Sequence, residues 1–188
     1  MSPYRFAPLF ALLLLAVAPA ARATQVRHLD TRALVRESSD IVIGQIEGAT
    51  AHWNENRSAI VTEVTVRISQ TLKGVATERL TLRQMGGEVD GMRYSIPGSP
   101  SFTPGEEALL FVWRDAAGRP QVDGLAQGKF DIAKDPATGE RLVQRSLPGL
   151  SIRDTKTLSM APVSGPTPRI PLSSLVREIQ SALEEAGR

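Results

Sequence analysis

Two carboxylates close together are the first candidates for chemistry in this sequence. Glu88 and Asp90 lie in the segment GGEVDG. On a strand, side chains two residues apart share a face, so this pair could act as a general acid and base. Carboxylates in a glycine-rich loop could also bind calcium, although the EF-hand spacing is absent. A polar hairpin tip with glycines at positive φ is the third interpretation, and we favour it.

The histidines do not form a metal-binding motif. His28 and His52 are the only two in the chain, and a zinc site would need both, together with carboxylates such as Asp30 or Glu55. The sequence contains no cysteine, which excludes thiolate nucleophiles, disulfides and cysteine-ligated zinc. We therefore predict no metal site and no cofactor.

Serine catalysis also lacks its usual motif. No G-x-S-x-G segment is present, and Ser99 lies between a glycine and a proline, which suits a turn. A serine nucleophile needs a base within hydrogen-bond reach, and only the two histidines could serve in the usual role. We predict no catalytic residue.

Aromatic residues in loops are candidates for binding. Trp53 lies in a predicted polar turn, and Tyr94 and Phe102 lie in segment 86–106, which is rich in Gly, Pro and Ser. Exposed loop aromatics commonly anchor partners, whereas capping of a core is the alternative. The candidate binding residues are Trp53, Glu88, Asp90, Tyr94 and Phe102.

The segments around these residues have the two-residue period of strands. In 59–72 (AIVTEVTVRISQTL) apolar and polar side chains alternate, which indicates a sheet with one solvent-exposed face. Further strands are predicted at 41–47, 79–85 and 107–113, and in GLAQGKFDIA and RLVQRSL, which flank a turn at 135–140. We interpret GLAQGKFDI (124–132) as one bent strand, because glycines within strands often mark bends. Ligand binding by this segment, as on the binding face of OB-fold strands, is the alternative.

A helix is predicted near each end of the chain. Asp30 can cap a short helix that ends near 38–40, and Leu29 can pack on Leu34 as a hydrophobic staple. Apolar residues at helical spacing predict a closing helix over 172–186. Short strands between two helices, without βαβ alternation, predict an antiparallel barrel or sandwich.

The amino-terminal segment predicts export. A weakly positive start, an apolar run from Leu9 to Ala18 and the motif Ala21-Arg22-Ala23 are typical of a signal peptide over residues 1–23. The apolar run is shorter than the roughly twenty residues that a membrane span needs; an uncleaved anchor is the alternative. We expect cleavage after Ala23, a periplasmic or secreted protein and no membrane span after cleavage.

The charge balance gives no indication of nucleic-acid binding. The chain has 22 basic and 20 acidic residues, and the predicted signal removes Arg5 and Arg22 but no acid, which leaves 20 of each. No basic block interleaved with aromatics remains, and a balanced surface does not steer polyanions.

Four segments carry a resemblance to known proteins. SSDIVIGQI, VTVRISQTLKG, PGEEALLFV and GLAQGKF, in this order, resemble a family of uncharacterised exported bacterial proteins. The strand order and the strand-ending LKG also distantly resemble netrin-like barrels, which have the OB fold and include tissue inhibitors of metalloproteinases. The resemblance covers residues 37 to 132. It implies a mainly β, small antiparallel OB-like β-barrel, with the short N-terminal helix and the C-terminal helix outside it.

The resemblance also implies a protein-binding role, but not the inhibitors' mechanism. In those inhibitors an amino-terminal cysteine chelates the protease zinc, and this chain has no cysteine. We predict a β-barrel domain over 24–146, a Pro/Ser/Gly-rich linker over 147–171 and the helix over 172–186. The predicted function is an exported, non-catalytic binding or interaction module of unknown ligand, with another exported protein as partner. The alternatives are a secreted hydrolase using Glu88, Asp90 or His52, and an accessory domain of a secreted protease system.

Overall fold

The structure is a computed structural model that describes residues 24–147, 150–153, 160–162 and 166–187. The predicted signal peptide, residues 1–23, lies outside the described residues, as do parts of the predicted linker. The described elements are β1 (Thr24–Arg27), α1 (Thr31–Glu37), β2 (Asp40–Trp53), β3 (Ile60–Lys73), β4 (Arg79–Met85), β5 (Gly87–Val89), β6 (Met92–Tyr94), β7 (Glu107–Arg114), β8 (Pro120–Val122), β9 (Lys129–Lys134), β10 (Arg141–Gln144), β11 (Leu150–Arg153), β12 (Met160–Pro162), β13 (Ile170–Pro171) and α2 (Leu172–Ala186).

One antiparallel sheet dominates the molecule. Its strand order is β13-β10-β9-β7-β2-β3-β4, and β8 pairs with the far end of β7. The predicted mainly β fold with a short N-terminal helix and a C-terminal helix is therefore confirmed. Within the described residues no helix has both the length and the apolar character needed to cross a bilayer.

The sheet curls, but it does not close into the predicted barrel. The long strand β2 carries register shifts at Ile41/Val42, Ile43/Gly44 and Ile46/Gly48, and such bulges increase strand twist. The curl brings β4 close to β8, yet these strands share no ladder. The prediction of closure was wrong because closure depends on hydrogen bonds between strands far apart in sequence. We call the curled strands β8, β7, β2, β3 and β4 the open barrel.

The sheet is buried on both faces at its centre. Alternate residues of β2 and β7 point to opposite sides, which explains why the segment from Ala108 to Val112 is continuously apolar. On one side, Ile41, Ile43, Leu109 and Phe111 pack with Leu34 of α1 and with Leu175 and Ile179 of α2. The concave side of the open barrel encloses Val42, Ile46, Val64, Val66, Leu82, Leu110 and Val112. Each such side chain contributes about 1.5–3 kcal/mol on burial.

Local capping explains the bounds of α1. The Asp30 carboxylate accepts a hydrogen bond from the Ala33 amide at 2.8 Å, which satisfies one of the free amides at the helix start. Leu29 and Leu34 lie in the same buried cluster, as a staple requires. The helix ends where the Ser38 amide donates to the Leu34 carbonyl at 3.0 Å. The predicted start and end are both close to those observed.

The predicted strand over 124–132 is wrong in its first half. Residues Leu125–Gly128 form a 3₁₀ turn, and β9 begins at Lys129. Gly124 (φ 62°) and Leu125 (φ 59°) both have left-handed backbones. The Gln127 side chain accepts from the Leu29 amide at 2.8 Å and donates to the Arg27 carbonyl at 3.0 Å. These partners are about a hundred residues away, so alternation within the segment could not reveal the turn.

The range predicted as a linker contains secondary structure in its described part. Strands β11, β12 and β13 lie within it, and Leu147 and Leu150 are buried beside Ala126. Strand β11 pairs in parallel with β1 and antiparallel with β12. The pairing with β1 joins segments more than a hundred residues apart, whereas the composition of this range suggested only a loop.

Candidate functional site

A cleft of about 330 Å³ lies at one end of the open barrel. Its floor is formed by the concave face of β2, β3 and β4, and one wall is formed by the segment after β6. The lining residues are Ala49, Thr62, Gln84, Met85, Gly86, Gly87, Tyr94, Ser95, Ile96, Ser99, Pro100, Ser101 and Phe102. The cleft therefore continues the interior of the open barrel to its surface.

Two polar residues replace apolar ones where the concave face reaches the cleft. Thr62 lies on the same face of β3 as the buried residue Val64, and Gln84 lies on the same face of β4 as the buried residue Leu82. Thr62 and Gln84 are paired with each other in the β3–β4 ladder. Thr62 Oγ1 donates to the Gly86 carbonyl at 2.7 Å. Gln84 is only 8% exposed, and its Nε2 has no hydrogen-bond partner within the part of the chain that the structure describes. A buried donor without a partner costs about 1–3 kcal/mol, so this amide lowers the stability of the folded chain.

The wall of the cleft is anchored at Gly98. The Ala126 amide of the 3₁₀ turn donates to the Gly98 carbonyl at 2.9 Å. Gly98 has φ +85°, and an added Cβ would collide with the buried side chain of Leu150. Only glycine combines this backbone with such close packing. The wall is therefore tied to the core.

A buried ion pair lies behind Phe102. Lys129 is 5% exposed; its Nζ is 2.9 Å from Glu106 Oε1 and also contacts Asp131 Oδ1. The Glu106 contact is a charge pair without aligned hydrogen-bond geometry. The Lys129 ammonium lies 5.4 Å from the centre of the Phe102 ring, within the range of a cation–π interaction. The pair thus supports the ring that lines the cleft.

The electrostatic character of the cleft suits an uncharged ligand. Tyr94 is the single titratable side chain among the lining residues given above, which include no Asp, Glu, His, Lys or Arg. Ser95, Ser99 and Ser101 line the cleft together with the apolar residues Ile96 and Phe102. Such a mixture of apolar surface and a few polar groups is typical of binding sites.

The structure brings together two of the five predicted binding residues. Tyr94 and Phe102 both line the cleft. Trp53 is half-buried at the end of β2, opposite Ile60, instead of in a turn, because β2 extends beyond the predicted strand. Glu88 and Asp90 lie outside the cleft.

The segment containing Glu88 and Asp90 is a hairpin. Strands β5 and β6 pair around Asp90 (φ 52°) and Gly91 (φ 75°), an Asp-Gly turn of the kind that two-residue hairpins prefer. Glu88 accepts two hydrogen bonds from Arg93, at 2.8 and 3.0 Å. This is the hairpin tip that the sequence suggested; Asp90 lies in the turn and not on a strand face with Glu88.

His52 has a local environment on the sheet surface. Its Nε2 is 3.5 Å from Glu63 Oε1, and its Nδ1 is 2.8 Å from the Trp53 carbonyl. No group of three or more potential metal ligands occurs among the described residues. His52 also lies outside the cleft.

A second cleft, of about 730 Å³, has a charged lining that the sequence did not reveal. Glu78, Glu106 and Glu107 contribute its carboxylates. These pair with Arg79 at 3.1 Å, with Lys129 at 2.9 Å and with Arg141 at 2.5 Å, respectively. Because each carboxylate already has a cationic partner, this cleft is a weaker candidate for acid–base chemistry or cation binding.

Asp123 is a buried carboxyl away from both clefts. Burial raises its pKa, and the hydrogen bond from Ser38 Oγ at 3.2 Å opposes this effect. Asp123 lies two residues before the start of the 3₁₀ turn at Leu125, and its amide donates to the Phe111 carbonyl at 2.9 Å. We assign Asp123 a structural role.

Gln84 is the residue that sequence reasoning missed. Leu80 and Leu82 alternate with polar residues in 79–85, and Gln84 continues their parity. A polar residue in an apolar row was a usable signal for the edge of the core.

No protein-family model, curated protein or solved structure matches this chain. The functional assignment therefore depends on the geometry of the cleft.

Proposed function

We propose that this protein is an exported, non-catalytic binding module whose ligand occupies the cleft between Gln84, Tyr94 and Phe102. The observation that carries the proposal is the uncharged lining of the cleft, in which Tyr94 and Phe102 lie together with Ser95, Ser99 and Ser101. Export follows from the predicted signal peptide, and the expected partner is another exported protein.

The wall of the cleft is held in place before a ligand binds, which favours binding at this position. Gly98 is anchored to the 3₁₀ turn and Phe102 to the buried ion pair, so the cleft needs little ordering when a ligand enters. When a site loses little conformational entropy on binding, more of the free energy of its contacts contributes to affinity. The aromatic rings of Tyr94 and Phe102 supply contact area of the kind that dominates interfaces.

The hydrolase alternative has less support. An enzyme of this kind needs at least two catalytic groups that converge in a concave site. Glu88 is engaged by Arg93, Asp90 lies at a hairpin tip and His52 lies beside Glu63. The role of accessory domain in a secreted protease system depends on the resemblance alone.

Nuclear magnetic resonance on the exported form can test the proposal. We would record ¹⁵N spectra with panels of neutral peptides, neutral oligosaccharides and small aromatic amides. A cleft ligand should shift the side-chain amide of Gln84 and the backbone amides of residues 94–102. Turnover of peptide, ester or glycoside substrates, without any shift in the cleft, would contradict the binding function.

A further inference from the structure

Two exposed methionines lie at the uncharged cleft. Met85 is 40% exposed and Met92 is 53% exposed, although methionine is among the residue types that are most often buried. Met85 lines the cleft. Met92 lies on β6 two residues before Tyr94, which also lines the cleft, so these two side chains share a strand face. Both methionines are therefore open to solvent beside one site.

The sulfur chemistry of this protein belongs to its methionines. The chain has four methionines and no cysteine. Met1 belongs to the predicted signal peptide, and Met160 lies in β12. Exported proteins meet more oxidising conditions than cytosolic ones, and the oxidation of a thioether increases with its exposure. An oxidant that reaches the exported chain should therefore react with Met85 and Met92.

The reaction with a peroxide needs no further co-reactant. A lone pair of the methionine sulfur attacks one peroxide oxygen, so that a sulfur–oxygen bond forms and the oxygen–oxygen bond breaks. The sulfur loses two electrons and becomes a sulfoxide, and the peroxide is reduced to water or to an alcohol. Methionine sulfoxide reductases reverse this step with a dithiol, which becomes a disulfide as water is released. The modification is therefore reversible.

Oxidation of Met85 would change the chemistry of the cleft lining. A thioether is apolar, whereas a sulfoxide is polar and chiral, and its oxygen accepts hydrogen bonds. Ser95, Ser99 and Ser101, whose hydroxyls can donate such bonds, line the same cleft. A sulfoxide at Met85 therefore introduces an acceptor into a site that has several donors, and it removes part of the apolar surface.

We propose that Met85 and Met92 are the sites at which peroxides oxidise the exported protein, and that the sulfoxide of Met85 changes the conformation of the cleft wall. Met92 is not among the lining residues of the cleft given above, so its oxidation should leave the wall unchanged. This inference goes beyond the proposed binding function, because neither the modification nor the change in the wall requires a ligand.

Peptide mapping measures the modification itself. The exported form would be treated with hydrogen peroxide while folded, then denatured and digested with a glutamate-specific protease, because cleavage after Glu88 separates Met85 from Met92. Since both residues are exposed, each should gain one oxygen atom at a rate within about tenfold of that of N-acetylmethionine amide. A slower rate at either residue would overturn its assignment as an oxidation site.

Nuclear magnetic resonance measures the effect on the wall. Peroxide should shift the backbone ¹⁵N–¹H signals of residues 95–102, and methionine sulfoxide reductases with dithiothreitol should restore them. The chain has no cysteine that dithiothreitol could modify. Met85→Leu removes the thioether but keeps an apolar side chain, so peroxide should no longer shift these signals. The matched control Met92→Leu should respond to peroxide as the original chain does.

A third variant imitates the oxidised state. Met85→Gln supplies a polar side chain of similar length, and it should shift the signals of residues 95–102 without peroxide. Urea unfolding would check that the three variants fold. Complete oxidation of Met85 in the original chain without shifts in residues 95–102 would overturn the effect on the wall. Equal responses of Met85→Leu and the original chain, or loss of the response in Met92→Leu, would overturn its assignment to Met85.

Discussion

Thr62 and Gln84 face each other across the β3–β4 ladder, and their side chains differ in hydrogen bonding. Thr62 Oγ1 donates to the Gly86 carbonyl at 2.7 Å, whereas Gln84 Nε2 has no partner within the described residues. A folded chain gains stability when buried polar groups are paired. The unpaired amide of Gln84 therefore lowers the stability of the folded chain, whereas the paired hydroxyl of Thr62 raises it.

Substitution of these two residues should change stability in opposite directions. Gln84→Leu removes the unpartnered amide and should raise the free energy of unfolding by about 1 kcal/mol, whereas Thr62→Val leaves the Gly86 carbonyl unpaired and should lower it by about 1 kcal/mol. Urea unfolding of both variants measures these changes. A larger loss from Gln84→Leu than from Thr62→Val would show that the amide stabilises the free protein.

Removal of the buried ammonium should be costly. Lys129→Met leaves the carboxylate of Glu106 without its cation; we expect a loss of about 3 kcal/mol, the lower end for a broken buried pair, because Glu106 is partly exposed. The double variant Lys129→Met/Glu106→Gln should recover part of this loss. The exposed pair of Arg93 and Glu88 is the control, and Arg93→Met should cost less than about 1 kcal/mol. Equal losses from the two single variants would contradict the role of burial.

Asp123 should make stability fall as the pH rises. Burial raises the pKa of its carboxyl in the folded state, so between the unfolded pKa, about 3.9, and the folded pKa the native chain binds more protons. By linkage, stability decreases through that range. Urea titrations at several pH values would give the free energy of unfolding of Asp123→Asn minus that of the original chain. This difference should increase from pH 4 to pH 7. A constant or decreasing difference would contradict the raised pKa.

Gly98 should tolerate alanine less well than a glycine in open space. Gly98→Ala combines a positive φ with a collision against Leu150, whereas Gly118→Ala has a similar φ of +77° and no atom near the added Cβ. Backbone strain alone costs about 1–2 kcal/mol, and overpacking adds about 1–3 kcal/mol. Thermal unfolding of the two variants should thus show the larger loss at Gly98. Similar losses would mean that the wall relaxes around Leu150.

Mass spectrometry of the exported form tests the predicted processing. The motif Ala21-Arg22-Ala23 predicts cleavage after Ala23, so the amino-terminal peptide of the exported protein should begin with Thr24. A peptide that retains Met1 in the exported fraction would contradict cleavage.

The predicted site and the observed cleft overlap in part. The loop composition of 86–106 pointed to Tyr94 and Phe102, which line the cleft. The same reasoning included Trp53, Glu88 and Asp90, which lie elsewhere, since composition does not specify the side of a sheet on which a loop folds. A binding role for these three residues stays a prediction. The burial of Gln84 and of Lys129 depends on contacts between distant strands, so composition did not predict it.

The sequence by itself determined the elements whose signals are local. The alternation of 59–72 corresponds to β3, the Asp30 cap to α1, and the helical spacing of apolar residues to α2. Only the tertiary structure decided the open edge between β4 and β8, the 3₁₀ turn held by Gln127 and the cleft at Gln84. These features arise from contacts between residues far apart in the chain. Periodicity and capping report on neighbours in sequence, so they carry no information about such contacts.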